Sequence, residues 1–118
     1  MSHPAETVHA NFRRRVSSRD LPEPTTRLEH SGLAAHDLVA LYDAQLMSRH
    51  LDRIALELQK RGEGFYTIGS SGHEGNAAIA RALRPTDMAF LHYRDAAFQI
   101  ARAQQVPGVP VLWDMLLS

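Results

Sequence analysis

Arg94 is the first residue that could do chemistry. It follows the apolar run Met88-Ala89-Phe90-Leu91, and a guanidinium held just past a buried strand offers a planar fork of donors that matches phosphate or carboxylate oxygens. Tyr93 beside it adds a hydroxyl donor. The plainer alternative is an ion pair between Arg94 and Asp95 or a helix carboxylate. His73-Glu74 is the second candidate. Ser71 followed three residues later by Glu74 has the pattern of a capping box, in which hydroxyl and carboxylate satisfy each other's backbone N–H. His73 would then be a general base, an anion contact or an exposed side chain at a helix start. Gly69-Ser70-Ser71-Gly72 before that helix resembles an anion-binding loop, because free N–H groups and the helix dipole favour negative charge there. It has neither the Lys-Ser/Thr ending of a P-loop nor the glycine spacing of a dinucleotide fingerprint.

Other chemistries are poorly provided for. The chain has no cysteine, which removes disulfides, thiolate catalysis and cysteine-based metal sites together. Its seven histidines are scattered, with no i, i+4 pair on one face and no second histidine after His73-Glu74 to complete a zinc-protease helix. The formal net charge is +0, so no nucleic acid or anionic membrane is expected as a partner. Arg13-Arg14-Arg15 is the one dense basic run, read as a solvated tail. No apolar stretch approaches the roughly 20 residues of a membrane helix, and no signal peptide is recognisable; the expected compartment is the cytoplasm.

These residues need elements to hold them. Residues 1–31, with Pro4, Pro22, Pro24 and the arginine run, read as a mobile tail containing at most a short helix near Val8–Arg15. From Ala35 to Arg61 the spacing predicts one amphipathic helix, with Leu38, Leu41, Tyr42, Leu46, Met47, Leu51, Ile54 and Leu58 along its stripe. Gly62 ends it, after cations suited to the negative helix end. Such a helix, about 26 residues and about 39 Å long, needs a larger body to lie against. Phe65-Tyr66-Thr67-Ile68 has strand-like composition. A helix rich in small residues follows Ser71 (Ala77, Ala78, Ala80 and Ala82 with Ile79 and Leu83), then a turn at Arg84–Asp87. Met88–Leu91 is expected as a buried strand, with helices from about Asp95 to Gln104 and from Val111 to Leu117. The alternation implies α/β architecture, mostly helical with one or two short strands, in which polar residues past a strand's carboxyl end contact ligands.

Taken in order, the motifs are less common than any one of them. Ser48-Arg49 and Asp52-Arg53 on the long helix are followed by Gly64-Phe65-Tyr66-Thr67, Ser71-Gly72-His73-Glu74-Gly75, Leu83-Arg84-Pro85-Thr86-Asp87 and Tyr93-Arg94-Asp95. This series resembles the alpha region of the thiamine-diphosphate-dependent first component of 2-oxo acid dehydrogenase complexes, most closely the branched-chain 2-oxoisovalerate type, over about Leu33 to Ser118. The resemblance implies that residues 32–118 are an incomplete N-terminal part of a thiamine-diphosphate-binding domain. It implies oxidative decarboxylation of a 2-oxo acid, with acyl transfer to lipoamide on a lipoyl acyltransferase component. In the family the tyrosine–arginine pair contacts the diphosphate side of the cofactor, which maps onto Tyr93 and Arg94. His92 lies beside that pair, and Tyr66 and Ile68 fall nearest the 2-oxo acid pocket. Pyruvate-type members carry a histidine near Ile68, so an apolar residue there implies a bulkier aliphatic substrate. The magnesium motif of the family, Gly-Asp-Gly followed by an asparagine pair, is absent from this sequence. The glutamate that activates the cofactor belongs to the partner beta region. The chain is therefore expected to supply one wall of a pocket, with no catalytic residue of its own. The alternative is a non-catalytic truncated paralogue that docks on a partner subunit.

Overall fold

The computed structural model describes residues 4–65 and 69–117, and every regular element among them is helical. They form two units, residues 1–34 and 35–118. In the first, α1 spans Pro4–Ser18 and a single 3₁₀ turn spans Leu28–His30. The sequence supports a longer helix here than the short one expected. Proline stands at the first helical position, Glu6 lies in the first turn and Arg15 in the last, each where the helix end favours it. Val8, Phe12 and Val16 make a stripe at steps of four. Arg19, in the left-handed region at φ 56°, ends α1, and the Asp20 N–H donates to the Arg15 carbonyl at 2.9 Å.

The second unit holds α2 (Ala35–Lys60), α3 (Asn76–Ala82), α4 (Ala96–Ala103) and α5 (Val111–Leu117). α4 is its centre, packing against α2, α3 and α5. The core joins Ala44 and Leu51 of α2, Ala77 and Ala80 of α3, and Ala97, Phe98, Ile100 and Ala101 of α4. Alanines at these crossings let the helix backbones approach closely. Gln105 donates to the Ala80 carbonyl at 3.0 Å, satisfying one of the acceptors that a helix end leaves open.

The buried face of α2 is the expected stripe only in part: Leu38, Leu41, Leu46, Leu51 and Leu58 of it are buried or half-buried. Leu41, Ala44, Ser48 and Leu51 turn inward, whereas Tyr42, Met47 and Ile54 are exposed. The face is set by where the polar Ser48 and its neighbour Asp52 find partners, which an apolar periodicity does not register. The predicted end of α2 is correct. The Gly62 N–H donates to Gln59 O and the Glu63 N–H to Leu58 O, both at 2.9 Å, the paired bonds of a Schellman stop. Gly62 sits at φ 73°, and a Cβ there would meet nothing within 4 Å. Gly62→Ala therefore isolates the backbone strain: it is expected to cost about 1 kcal/mol, read as a shift in denaturation midpoint at constant slope.

The expected strands are not found among the described residues, and this corrects the α/β reading. Met88–Leu91 has no regular structure and pairs with no other segment among the described residues. Its four backbone N–H and C=O groups make no hydrogen bonds to described residues. Met88 and Phe90 are 84% and 95% exposed, whereas Ala89 packs on the core. The alternation fits a half-buried strand, but a strand is defined by its ladder, and composition cannot supply the second backbone. The other strand-like segment, Phe65–Ile68, falls mostly outside the described residues.

Candidate functional site

The site is the loop 69–75, held from three sides by α2, α3 and the turn 92–95. From α2, the Asp52 carboxylate accepts the Ser70 N–H at 2.9 Å and the Ser70 hydroxyl at 2.8 Å. The Ser48 hydroxyl donates to Ser70 Oγ at 2.7 Å, and both serines are buried. Arg49 joins two carboxylates, with Asp52 at 3.2 Å and Glu74 at 3.4 Å. Glu74 in turn accepts the Gly72 N–H at 2.7 Å. The anion-binding look of this loop thus has a local explanation: two of its N–H groups already hold carboxylates of the same chain. The capping box also differs from expectation. Glu74 does reach back, but to Gly72 rather than Ser71, and α3 starts later, at Asn76, with no side-chain cap.

Arg94 reaches the loop from the other side. Its Nε donates to Gly69 O at 2.9 Å and its Nη2 to Ser71 O at 2.6 Å. The guanidinium is thereby fixed in plane by two carbonyls, not by Asp95. Its Nη1 has no hydrogen-bond partner among the described residues. Tyr93 is largely exposed, with its ring 3.9 Å from that of His92, centroid to centroid. Tyr66 and Ile68, expected at the substrate pocket, lie outside the described residues.

Asp95 is buried and organises the turn. It accepts the His92 N–H at 2.7 Å and the Asn76 amide at 2.6 Å, and it lies 3.6 Å from His73 Nδ1. Burial pushes its pKa up, but the His92 N–H, the Asn76 amide and His73 outweigh that and hold it below the usual carboxylate range. Asp52 is the opposite case. Burial, with help from the nearby Glu74 charge, raises it despite the Ser70 donors and Arg49.

The two aspartates should oppose each other on the acid limb. Asp95, lowered in the folded state, adds stability above its unfolded pKa of about 3.9, and this is lost as pH falls through the folded value. Asp52, raised in the folded state, costs stability while ionised, and that cost is relieved as pH falls through its folded value towards about 3.9. Thermal melts between about pH 3 and 7 should therefore show Asp95→Asn flattening the most acidic part of the profile and Asp52→Asn altering the part above it.

The sequence named Arg94, Tyr93, His92, His73 and Glu74 but gave Ser48, Arg49, Asp52 and Asn76 no role. Their signal was present in the helix itself: Ser48, Arg49 and Asp52 share one face at steps of three and four, polar residues where an apolar stripe would run. No group of three or more His, Asp or Glu among the described residues could hold a metal ion, and no helix there is long and apolar enough to cross a membrane.

The chain is 31% identical over 96 residues to the alpha subunit of 3-methyl-2-oxobutanoate dehydrogenase from Mycobacterium tuberculosis, in strain CDC 1551 / Oshkosh and equally in strain ATCC 25618 / H37Rv. The match takes in 80% of this chain and 23% of each relative, so the chain spans about a quarter of their length. No family model matches it. No solved structure matches it either.

Proposed function

We propose that this chain supplies part of the decarboxylating component of a branched-chain 2-oxo acid dehydrogenase, with Tyr93 and Arg94 forming one wall of a thiamine diphosphate pocket. The observation that carries the reading is the state of Arg94. Two of its five N–H donors are spent on Gly69 O and Ser71 O, and that fixes the direction of those on Nη1. A guanidinium pre-oriented in this way binds an anionic oxygen at a smaller entropic cost than a free side chain. The likeness to two 3-methyl-2-oxobutanoate dehydrogenase alpha subunits supports the same reading, and so does the order of motifs from Ser48 to Asp95.

The residues fit the diphosphate in part. Arg94 Nη1 and the exposed Tyr93 hydroxyl are donors, while the described residues offer no magnesium ligand set; in this reading the metal is held by other parts of the assembly. When bound, thiamine diphosphate supplies the carbanion chemistry of decarboxylation. This chain's part is to orient: Arg94 and Tyr93 fix one end of the cofactor, and His92 lies beside them at the substrate side. Tyr66 and Ile68 are the proposed substrate contacts, with Ile68 suiting a branched aliphatic side chain. The remaining alpha and beta regions and a lipoyl acyltransferase are the proposed partners. The exposed side chains of Met88 and Phe90 support a larger assembly, since large apolar groups side by side are normally covered.

Titration of the isotope-labelled chain with thiamine diphosphate and magnesium tests this. One wall of a pocket should bind only weakly, with a constant on the order of millimolar, or about −4 kcal/mol, and should shift the Tyr93 and Arg94 signals. Arg94→Ala should abolish those shifts. Arg94→Lys, which keeps the charge but loses the fork, should weaken them. Shifts that survive Arg94→Ala would remove Arg94 from the cofactor site.

A further inference from the structure

We propose that His73, backed by Asp95, is a proton-exchanging residue that acts through its Nε2 atom on an oxygen of a bound 2-oxo acid. The ligand class rests on the function proposed above; the nitrogen assignment does not. His73 is the residue of the Ser71–Gly75 motif that the cofactor wall leaves unused, and three features of its setting give it a task.

The first is its partner. Asp95 Oδ1 lies 3.6 Å from His73 Nδ1. Asp95 is itself fixed by the His92 N–H and the Asn76 amide, so the carboxylate cannot turn away. At 3.6 Å this is an ion-pair contact rather than a hydrogen bond; because a carboxylate can only accept, it favours hydrogen on the nitrogen facing it and leaves Nε2 as the atom that takes up or gives a proton. The second is access. Asp95 is 12% exposed at its side chain, whereas His73 is 36% exposed: the orienting acid is inside and the imidazole is open. The third is the neighbouring ring. His92 stacks with His73 at 6.4 Å between centroids, 21° from parallel. Its Nδ1 faces the Arg94 N–H at 3.4 Å, so the neutral His92 ring carries its hydrogen on Nε2. Adjacent rings therefore present different groups: a proton-exchanging nitrogen on His73 and a hydrogen-bond donor on His92.

The step is a simple transfer. The Nε2–H bond of an imidazolium breaks as an O–H bond forms on a carbonyl oxygen that is gaining charge, the oxygen lone pair making the new bond and the N–H electron pair staying on nitrogen. The ring is left neutral, with Nδ1–H still directed at Asp95. In reverse, Nε2 takes the proton from a hydroxyl, and the ring's positive charge is balanced by the Asp95 carboxylate. His73 is the exchanging group and Asp95 a positioning residue, an arrangement known to be sensitive to which tautomer the acid selects.

Long-range proton–nitrogen correlation spectra of the labelled chain read the two tautomers directly. The expected result is hydrogen on Nδ1 of His73 and on Nε2 of His92, with the His73 preference lost in Asp95→Asn. Should that variant fail to fold, the wild-type spectrum decides by itself, since it reads the ring nitrogen that carries hydrogen. Hydrogen on Nε2 of neutral His73 in the wild-type chain would overturn the proposal. Addition of 3-methyl-2-oxobutanoate should then shift the Nε2 signals of His73 and His92. If they stay still while the tautomers are as expected, the 2-oxo acid assignment is wrong; the cofactor wall is judged separately, by the Tyr93 and Arg94 signals.

Discussion

Replacing Asp52 with alanine is expected to destabilise the chain by about 3 kcal/mol, the scale for removing one partner of a buried charged hydrogen-bond network. The substitution strands two groups at once. The Ser70 N–H and hydroxyl lose their acceptor, while the Ser48 hydroxyl still donates to Ser70 Oγ. Ser48 and Ser70 are 0% and 2% exposed, so water cannot replace the carboxylate without opening the loop. Arg49 would keep Glu74, which limits the loss on that side. The carboxylate's raised pKa shows that its own burial is already costly. Asp52→Asn, which retains a carbonyl acceptor, should therefore cost clearly less than Asp52→Ala. Urea denaturation measures both, and hydrogen exchange at the Ser70 amide should speed up in the alanine variant well before global unfolding. Equal costs for the two variants would mean that the carboxylate is not what holds the loop.

Ile100→Ala is the second large effect, also expected at about 3 kcal/mol, within the range for Ile→Ala in a core. Ile100 is 1% exposed and is the largest of the fully buried side chains. Its surroundings make the cavity hard to collapse. Ala97 and Ala101 flank it on α4, and Ala44, Ala77 and Ala80 line the crossings, so backbones already near contact cannot move closer to fill the space. Ile100 also borders a cleft with Met47, Val109 and Trp113, and the lost volume should join that cleft. Ile100→Val should cost about 1 kcal/mol. The check is the urea midpoint at unchanged slope; a cost for alanine no larger than that for valine would show that the wall of the cleft relaxes freely.

The helices were largely legible because their signals are local. Gly62 marked the end of α2, and the bond pattern there depends on a few adjacent residues. The alanines of α3 indicated close packing, and Pro107, Gly108 and Pro110 separated α4 from α5. What could not be read is what depends on distant partners. Ser48 and Asp52 look like surface residues of an amphipathic helix until Ser70, far along the chain, is known to meet them. Arg94 followed by Asp95 suggested a neighbouring ion pair, yet each turns to a different part of the 69–76 segment. Met88–Leu91 had the composition of a strand and even its alternating exposure, but pairing is a property of two segments. For the serine–aspartate network and for Arg94 and Asp95 the missing information was a contact across more than fifteen residues, which no periodicity encodes.

The exposed pair Met88 and Phe90 bears on how the chain behaves in concentrated solution. Large apolar side chains left open favour association between identical copies, and the formal net charge of +0 offers little repulsion to slow it. For this chain, yield in a recombinant host should be governed less by the stability of its helices than by whether that apolar pair is covered.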